Sequence, residues 1–341
     1  MSLDPDPDGQ GTIDASAGKL PARRRGWASL LIFGLAVLLL YLAVRGVDWQ
    51  AFFTILRQGR YLLLPLLFAW SSLTYFLRAM RWRVLLSAER CIAPLTVFWA
   101  NMAGYLGNSF LPARAGELVR SAVLSHKTGI SASFILATAL TERLLDVIAL
   151  VLISSLALLS LPGMPPGLTT ALHGMAVLGG AGLLIVLLAP HLETSLLVLL
   201  GAIPIPMAWR PRLESLLKRF LDGMRSLQQP GRAAWFVVLT AVIWLADGLW
   251  VMLGGYMLGL HFTLPQALLL LAGLGLSSAI PSTPGYVGVY QLAAVTVLTL
   301  FGFSKSEALA YILVAQAFNY LVVTVWGLPG LWFSRKYPIR G

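Results

Sequence analysis

Two groups of ionisable residues lie inside strongly apolar parts of this sequence. The first occupies Asn108–Arg120, and the second follows at Glu142–Asp146. A charge at the centre of a membrane costs about 2.5 to 3.5 kcal/mol on the insertion scale, so such residues pair with one another or face a cavity. Arginine adds a planar fork that suits bidentate binding of phosphate. Together with one acidic residue further along the chain, the candidate binding residues are Asn108, Arg114, Glu117, Arg120, Glu142, Arg143, Asp146 and Asp247.

The acidic residues admit more than one interpretation. Glu142 and Asp146 are four residues apart on one helical face, and Arg143 can reach Asp146 three residues on. They form either a structural ion pair between two helices or a ligand-binding lining. Asp247, alone in its apolar segment, is either neutral and hydrogen-bonded or a proton or cation site.

The composition places these residues in a membrane protein. The 341 residues are 58% hydrophobic and 11% charged, and the mean hydropathy is +0.79. These values fit neither one soluble domain nor two. The net charge of +11 lies at the ends of apolar segments, which indicates cytoplasmic loops facing anionic lipid and not a nucleic-acid partner. The single Cys91 excludes an internal disulfide, and the four histidines show no metal-ligand spacing. We therefore expect no metal and no cofactor.

Apolar stretches of spanning length define the predicted domain. Residues 1–22 lack large apolar side chains and are predicted to be a disordered cytoplasmic tail, whereas residues 23–341 are predicted to be one transmembrane domain. A spanning helix needs roughly 17 to 25 residues. The predicted fold is an all-α polytopic bundle of six to eight spans with one or two re-entrant broken helices. Its spans are predicted at 27–44, 61–77, 132–161, 168–189, 233–258, 264–280, 286–301 and 308–333.

The distribution of basic residues predicts that segment 92–111 turns back as a re-entrant hairpin. With a hairpin there, 20 Lys and Arg residues outside the spans lie on the cytoplasmic side and 4 on the other. If the segment crosses, this bias nearly disappears, although loop Lys and Arg set orientation. Irregular backbone at membrane depth needs surrounding protein or a water-filled cavity, so the hairpin predicts a cavity.

A basic amphipathic helix is predicted at 210–228 on the cytoplasmic surface. Its apolar residues recur at helical spacing, and its basic residues lie opposite them. The helix either binds anionic lipid or serves as an interfacial connector.

The chain contains a weak internal repeat at a shift of 169 positions. Segments 103–116 and 272–285 share five of fourteen residues, and Pro and Gly keep their offset. Both residue types break helices, and transporters place paired broken helices at the bilayer midplane. Segment 264–301 is then either two thin spans or a second hairpin that enters from the opposite side. The predicted helix-breaking residues are Pro112, Gly116, Pro281, Pro284, Gly285 and Gly288.

Three motifs resemble the transmembrane region of lysylphosphatidylglycerol synthases, a family of flippase-like integral membrane proteins. They are Asn-x-x-Leu-Pro-x-Arg-x-Gly-Glu-Leu-x-Arg at Asn108–Arg120, Glu-Arg-x-x-Asp at Glu142–Asp146, and Ile-Pro-x-x-Pro-Gly-x-x-Gly at Ile280–Gly288. The resemblance covers about residues 27–335. In the third motif Tyr286 stands where we expect a second glycine.

This resemblance implies a polytopic domain of the bacterial inner membrane, which we expect to have both termini in the cytoplasm. In bifunctional members the domain moves an aminoacylated phospholipid between leaflets, and a soluble aminoacyltransferase domain follows it. We expect lysyl transfer to lie outside this chain. Relatives linked to hopanoid or glycolipid pathways leave the lipid open.

These observations lead to a lipid translocator as the first hypothesis. Arg114, Arg120 and Arg143 would line a site for a lipid phosphate, and the carboxylates would hold them and contact a cationic head group. No catalytic or nucleotide-binding motif is visible, so we do not expect an enzyme. The alternatives are an enzyme of lipid or glycolipid modification that uses Glu142 or Asp146 as base, and a scaffold for a separate lipid-modifying enzyme. The expected partners are membrane lipids and not nucleic acid.

Overall fold

The protein is an all-α membrane bundle, as the sequence predicted. The computed structural model describes residues 22–111, 115–159, 166–203, 210–278 and 284–336. The tail predicted at 1–22 lies outside the described residues except for Ala22, and so do Pro112, Arg114 and Pro281. Thirteen α-helices are described: α1 Ala22–Val44, α2 Trp49–Arg57, α3 Leu64–Leu86, α4 Pro94–Phe110, α5 Gly116–Thr128, α6 Ala132–Leu159, α7 Pro166–Leu188, α8 Glu193–Ala202, α9 Arg210–Arg225, α10 Pro230–Met257, α11 Leu264–Ser277, α12 Val289–Leu300 and α13 Lys305–Lys336.

Three helical segments in the described ranges are long and apolar enough to cross a membrane. They are Tyr61–Leu86, Pro230–Met257 and Lys305–Phe333. A fourth span results if Phe33–Val44 and Trp49–Arg57, which are bent by 85°, are taken together. The prediction of six to eight spans stays a prediction.

Two sets of four helices share one order and one packing pattern. The first repeat comprises α3 to α6 and the second comprises α10 to α13; each runs long, short, short, long. The packing also recurs, because the last helix of each repeat contacts the first short helix of the other repeat. Thus α6 contacts α11, and α13 contacts α4. The surface helices follow the same rule, since α9 packs on α6 and α2 packs on α13. The internal resemblance at 169 positions therefore reflects a structural repeat.

The two repeats are inverted relative to each other. Trp70 Nε1 on α3 donates to the Ala246 carbonyl on α10 at 3.0 Å, and Trp250 Nε1 donates to the Leu67 carbonyl at 3.3 Å. Later residues of α3 thus meet earlier residues of α10, so these equivalent helices run antiparallel.

The segment 92–111, predicted to turn back on itself, is only the first leg of a longer hairpin that the short helices α4 and α5 form together. Arg90 Nη1, just before α4, donates to the carbonyl of Thr128, the last residue of α5, at 3.1 Å. Both ends of the pair therefore lie at one end of the bundle. The 13 residues of α5 extend about 20 Å, which is short of the roughly 30 Å hydrocarbon core.

The helices α11 and α12 form a second hairpin and not two spans. The rings of Phe262, before α11, and Phe303, after α12, are 5.0 Å apart. With 14 and 12 residues, the two helices extend only about 21 and 18 Å. The tips of the two hairpins meet, because Phe110 of the first contacts Tyr320 beside the second, with ring centroids 6.2 Å apart.

The hairpins enter from opposite ends of the bundle. Arg83 near the end of α3 donates from Nε to the Ile92 carbonyl at the base of the first hairpin, at 2.6 Å. At the other end of α3, the Arg60 amide donates to the Met257 carbonyl beside the second hairpin, at 2.7 Å. This opposed arrangement places both tips at the middle of the bundle.

Backbone geometry explains three of the four predicted helix breakers that lie within the described residues. A Cβ on Gly116 would lie 2.0 Å from the Gly104 carbonyl oxygen, so α4 and α5 can approach only with glycine there. Gly285 and Gly288 have φ of +72° and +86°, which favours glycine. Tyr286 also has a positive φ, of 61°, although it is not the glycine we expected; its ring stacks on Tyr290 at 4.7 Å.

The predicted amphipathic helix at 210–228 is α9, which ends at Arg225. Part of its apolar face packs against the protein, because Leu221 and Met224 are buried and Gly223 approaches α6 near Ala137.

Candidate functional site between the hairpin tips

A cavity of about 450 Å³ lies where the two hairpin tips meet. The first hairpin contributes Asn108, Ser109 and Glu117 to its lining, and the second contributes Ser278 and Gly285. The long helices α3, α6, α10 and α13 form the remaining walls. The volume lies within the range of small-molecule and head-group sites.

Arg143 brings the first repeat's charge into this cavity. Its Nε donates to Glu117 Oε1 at 2.8 Å, and its Nη1 lies 3.9 Å from Asp146 Oδ2. The Arg143 side chain remains 32% exposed. The carboxylates of Glu117 and Asp146 therefore fix its position, while part of its side chain remains exposed to the cavity.

A buried ionic cluster packs next to Arg143, on the side away from the cavity. Arg81 donates to both carboxylate oxygens of Asp146, at 2.6 and 2.9 Å, and to Glu142 Oε1 at 3.0 Å. Arg120 Nη1 donates to Glu142 Oε2 and to Asn101 Oδ1, each at 3.0 Å. The side chains of Arg81, Arg120 and Glu142 are at most 3% exposed. These groups are paired with one another and have almost no surface for a ligand.

Arg78 and Asp247 form an ion pair across the junction of the repeats. Arg78 lies on α3 and Asp247 on α10, and they are 169 positions apart, which is the repeat offset. Both side chains line the cavity, and they are 17% and 15% exposed. Among the described residues, this is the ion pair that joins one repeat to the other.

The sequence analysis missed Arg78 and Arg81 as site residues. We predicted that the span ends at Leu77, so that the following arginines lie in a cytoplasmic loop. The helix instead continues to Leu86, and both arginines bind acidic partners inside the bundle. The signal was available, because carboxylates within apolar segments require a counter-charge.

Besides Asp247, the second repeat contributes a group of aromatic and amide side chains to the cavity. Tyr286, Tyr290, Tyr311 and Tyr320 line the cavity together with Gln316 and others. Tyr320 Oη donates to the Gly285 carbonyl at 2.7 Å and accepts a bond from Gln316 Nε2 at 3.0 Å. At the repeat offset, Tyr286 stands where the first repeat has Glu117, and Tyr311 where it has Glu142. Within the described part of the chain, the cationic side chains of the cavity thus lie on the first repeat, whereas the second repeat contributes one carboxylate and a cluster of tyrosines.

Comparison with known proteins agrees with the resemblance of the motifs. The family described as the lysylphosphatidylglycerol synthase transmembrane region matches residues 26–327. The chain belongs to this family. A UPF0104 membrane protein of Methanocaldococcus jannaschii is 25% identical over 221 residues, which cover 64% of this chain and 90% of the relative. No solved structure matches the chain.

In this member of the family, the predicted site residues within the described ranges divide into two sets. Arg120 and Glu142 belong to the buried cluster and do not line the cavity. Arg114 lies outside the described residues. The members that line the cavity are Asn108, Glu117, Arg143, Asp146 and Asp247.

Proposed function

We propose that this protein binds the polar head group of a membrane lipid in the central cavity and carries it between leaflets. The observation that supports the proposal is the position of the cavity, which lies between two inverted hairpins that reach the middle of the bundle from opposite ends. Inverted repeats with broken helices at the midplane are the usual architecture of alternating-access transporters. The acyl chains would stay in the surrounding lipid.

The lining fits an amphiphile with a charged head group. Arg78 and Arg143 supply positive charge, and Glu117, Asp146 and Asp247 supply negative charge. A phospholipid, an aminoacylated lipid or an isoprenoid-linked phosphate carries at least one group of this kind, and a hopanoid with a polar head group is a neutral alternative. Each hairpin would close the cavity toward the side of the membrane from which that hairpin enters. If the two repeats exchange conformations, the cavity would open to one side of the membrane and then to the other.

We place the protein in the bacterial inner membrane with the base of the first hairpin in the cytoplasm. Arg83, Arg90 and Lys127 lie at that end, and the basic helix α9 packs near the start of α6 beside it. Loop Lys and Arg on one face favour its cytoplasmic location. Both termini then lie in the cytoplasm.

Leaflet exchange in reconstituted vesicles tests the function. Purified protein is placed in liposomes that carry fluorescently labelled phosphatidylglycerol, and a membrane-impermeant reductant bleaches the label in the outer leaflet. We expect exchange above that of empty liposomes, and a strong loss with Arg143→Gln. Arg225→Gln is the matched control, because Arg225 pairs with Glu193 outside the cavity.

Two outcomes would remove the proposal in favour of others. Well-folded protein that gives no exchange with anionic, aminoacylated or isoprenoid lipids would exclude translocation. Chemically altered lipid recovered from the same vesicles would support an enzyme instead.

A further inference from the structure

The arginines in and around the cavity differ in how much of each guanidinium group is paired with, or covered by, other protein groups. Arg81 has three bonds to two carboxylates, and Arg120 is enclosed by Glu142, Asn101 and the ring of Trp82, which lies 4.4 Å from its guanidinium carbon. Their side chains are 1% and 2% exposed. An incoming ligand cannot reach either one without dismantling the cluster.

Arg78 and Arg143 are different, because both line the cavity and keep exposed surface. Arg143 is anchored by Glu117 from the first repeat. Arg78 has its carboxylate partner, Asp247, on the opposite repeat. This partner also lines the cavity, so water there can solvate its charge if it separates from Arg78.

The cationic surface of the cavity is confined to one side. Arg78 and Arg143 both belong to the first repeat, whereas the wall opposite carries Asp247, tyrosines and amides. An anionic group entering the cavity would therefore bind against the first repeat. Its competitor for Arg78 would be Asp247.

We infer that Arg78 and Arg143 bind the phosphate of the ligand, and that Asp247 occupies the phosphate position on Arg78 until the ligand arrives. This rests on the proposed function, since the phosphate is taken to be that of a lipid head group. Arginine suits the exchange because its fork binds carboxylate and phosphate in the same geometry. The unliganded protein thereby keeps the Arg78 charge paired inside the bundle, where an unpaired charge is costly.

The two partners of this ion pair should affect binding in opposite directions. Arg78→Gln removes a phosphate ligand, so affinity should fall about tenfold, the usual size of one charge-assisted hydrogen bond. Asp247→Asn removes the competitor, so affinity should rise by a factor of about three or more. A salt bridge with a purely structural role predicts that both substitutions weaken binding or leave it unchanged.

Equilibrium binding in detergent tests the inference without transport. The probe is dihexanoylphosphatidylglycerol, a short-chain soluble phospholipid, titrated into purified full-length protein and followed by thermophoresis. Thermal melts of the same samples should show lower midpoints for both substitutions, because each breaks the same pair. Arg225→Gln is the control and should bind like the wild type.

Arg78→Lys is included because Arg78→Gln could lose binding through misfolding alone. It keeps the charge that pairs with Asp247 but loses the planar fork, so we expect a folded protein with affinity between those of the wild type and Arg78→Gln. Equal affinity of Arg78→Lys, Arg78→Gln and the wild type would overturn the inference, as would weaker binding by Asp247→Asn.

A second arm distinguishes a lipid phosphate from a soluble one. Glycerol 3-phosphate and inorganic phosphate are used as competitors against the short-chain lipid. We expect both to compete at least about tenfold more weakly than the lipid competes with itself. Equal competition would assign the cavity to a soluble phosphate and overturn the lipid assignment. Opposite effects of Arg78→Gln and Asp247→Asn in a protein that fails to exchange lipid would leave the phosphate site in place and remove only the translocation.

Discussion

Gly116 at the start of α5 lies directly against Gly104 on α4, and a Cβ on Gly116 would stand 2.0 Å from the Gly104 carbonyl oxygen. The same Cβ would lie 2.5 Å from the backbone nitrogen of Asn108. Backbone atoms cannot yield as a flexible side chain can. The first hairpin therefore depends on this close approach.

We expect Gly116→Ala to open the first hairpin and to lower the thermal midpoint by several degrees. The overpacking of a tight contact typically costs about 1 to 3 kcal/mol. Gly231→Ala is the matched control, because nothing lies within 4 Å of a Cβ there and the position is helical. Equal midpoints for the two variants, measured by intrinsic fluorescence on heating in detergent, would contradict the close packing.

Glu142→Gln should destabilise the bundle more than the loss of a surface ion pair. Glu142 accepts hydrogen bonds from both Arg81 and Arg120. Removing one partner from a buried ionic cluster typically costs about 3 to 5 kcal/mol. Glu193→Gln is the comparison, since its partner Arg225 is 48% exposed and such pairs contribute about 0 to 1 kcal/mol. Thermal melts of the two variants should differ clearly, and a Glu142→Gln midpoint as high as that of Glu193→Gln would count against the cluster.

Substitutions of Arg120 and Arg143 should have different effects, the first on thermal stability and the second on lipid exchange. Arg120→Gln removes a member of the buried cluster, so the thermal midpoint should fall. Arg143→Gln should leave the midpoint near that of the wild type, because Glu117 and Asp146 keep the nearby Arg120 and Arg81 as partners. In the vesicle assay, however, Arg143→Gln should lose most lipid exchange. If Arg143→Gln melts as early as Arg120→Gln, its side chain is structural and not a ligand.

Cys91 provides a direct test of orientation in the membrane. It is the single cysteine of the chain and is exposed at the base of the first hairpin, between α3 and α4. If this base faces the cytoplasm, a membrane-impermeant maleimide should label Cys91 in inverted membrane vesicles but not in intact spheroplasts. Cys91→Ala is the control for background labelling. Labelling in spheroplasts would place this face outside and reverse the predicted topology.

Much of the fold follows from patterns that the sequence displays. Apolar length located the long helices α3, α6, α10 and α13, and charge bias located the first leg of the hairpin of α4 and α5. The weak internal repeat indicated a partner for that hairpin. Whether Leu264–Phe301 spans twice or turns back depends on helix lengths, which the uninterrupted apolar composition did not reveal. The helix α2 was not predicted, because its nine residues lie in a stretch we interpreted as a loop.

The candidate site was only partly predictable, for a physical reason. The acidic residues within apolar segments were conspicuous, because a membrane does not tolerate them unpaired. Arg78 and Arg81 were interpreted as loop residues by the positive-inside rule, which does not distinguish an arginine at a span end from one that continues inward. Their partners lie on α6 and α10, and such pairing across helices requires tertiary structure. The burial of Arg120 and Glu142 away from the cavity also depends on tertiary packing.

The inverted repeat also shows why the cavity needs two repeats of different sequence. A chain that contained one repeat would need two copies inserted in opposite orientations to build the same cavity. In that dimer, equivalent positions carry identical residues, so Arg78 and Asp247, which are separated by the repeat offset, could not both be present. Their attraction requires two repeats whose sequences differ, which a single chain provides. The first repeat can therefore carry the cationic groups of the cavity, and the second repeat the carboxylate that pairs with one of them.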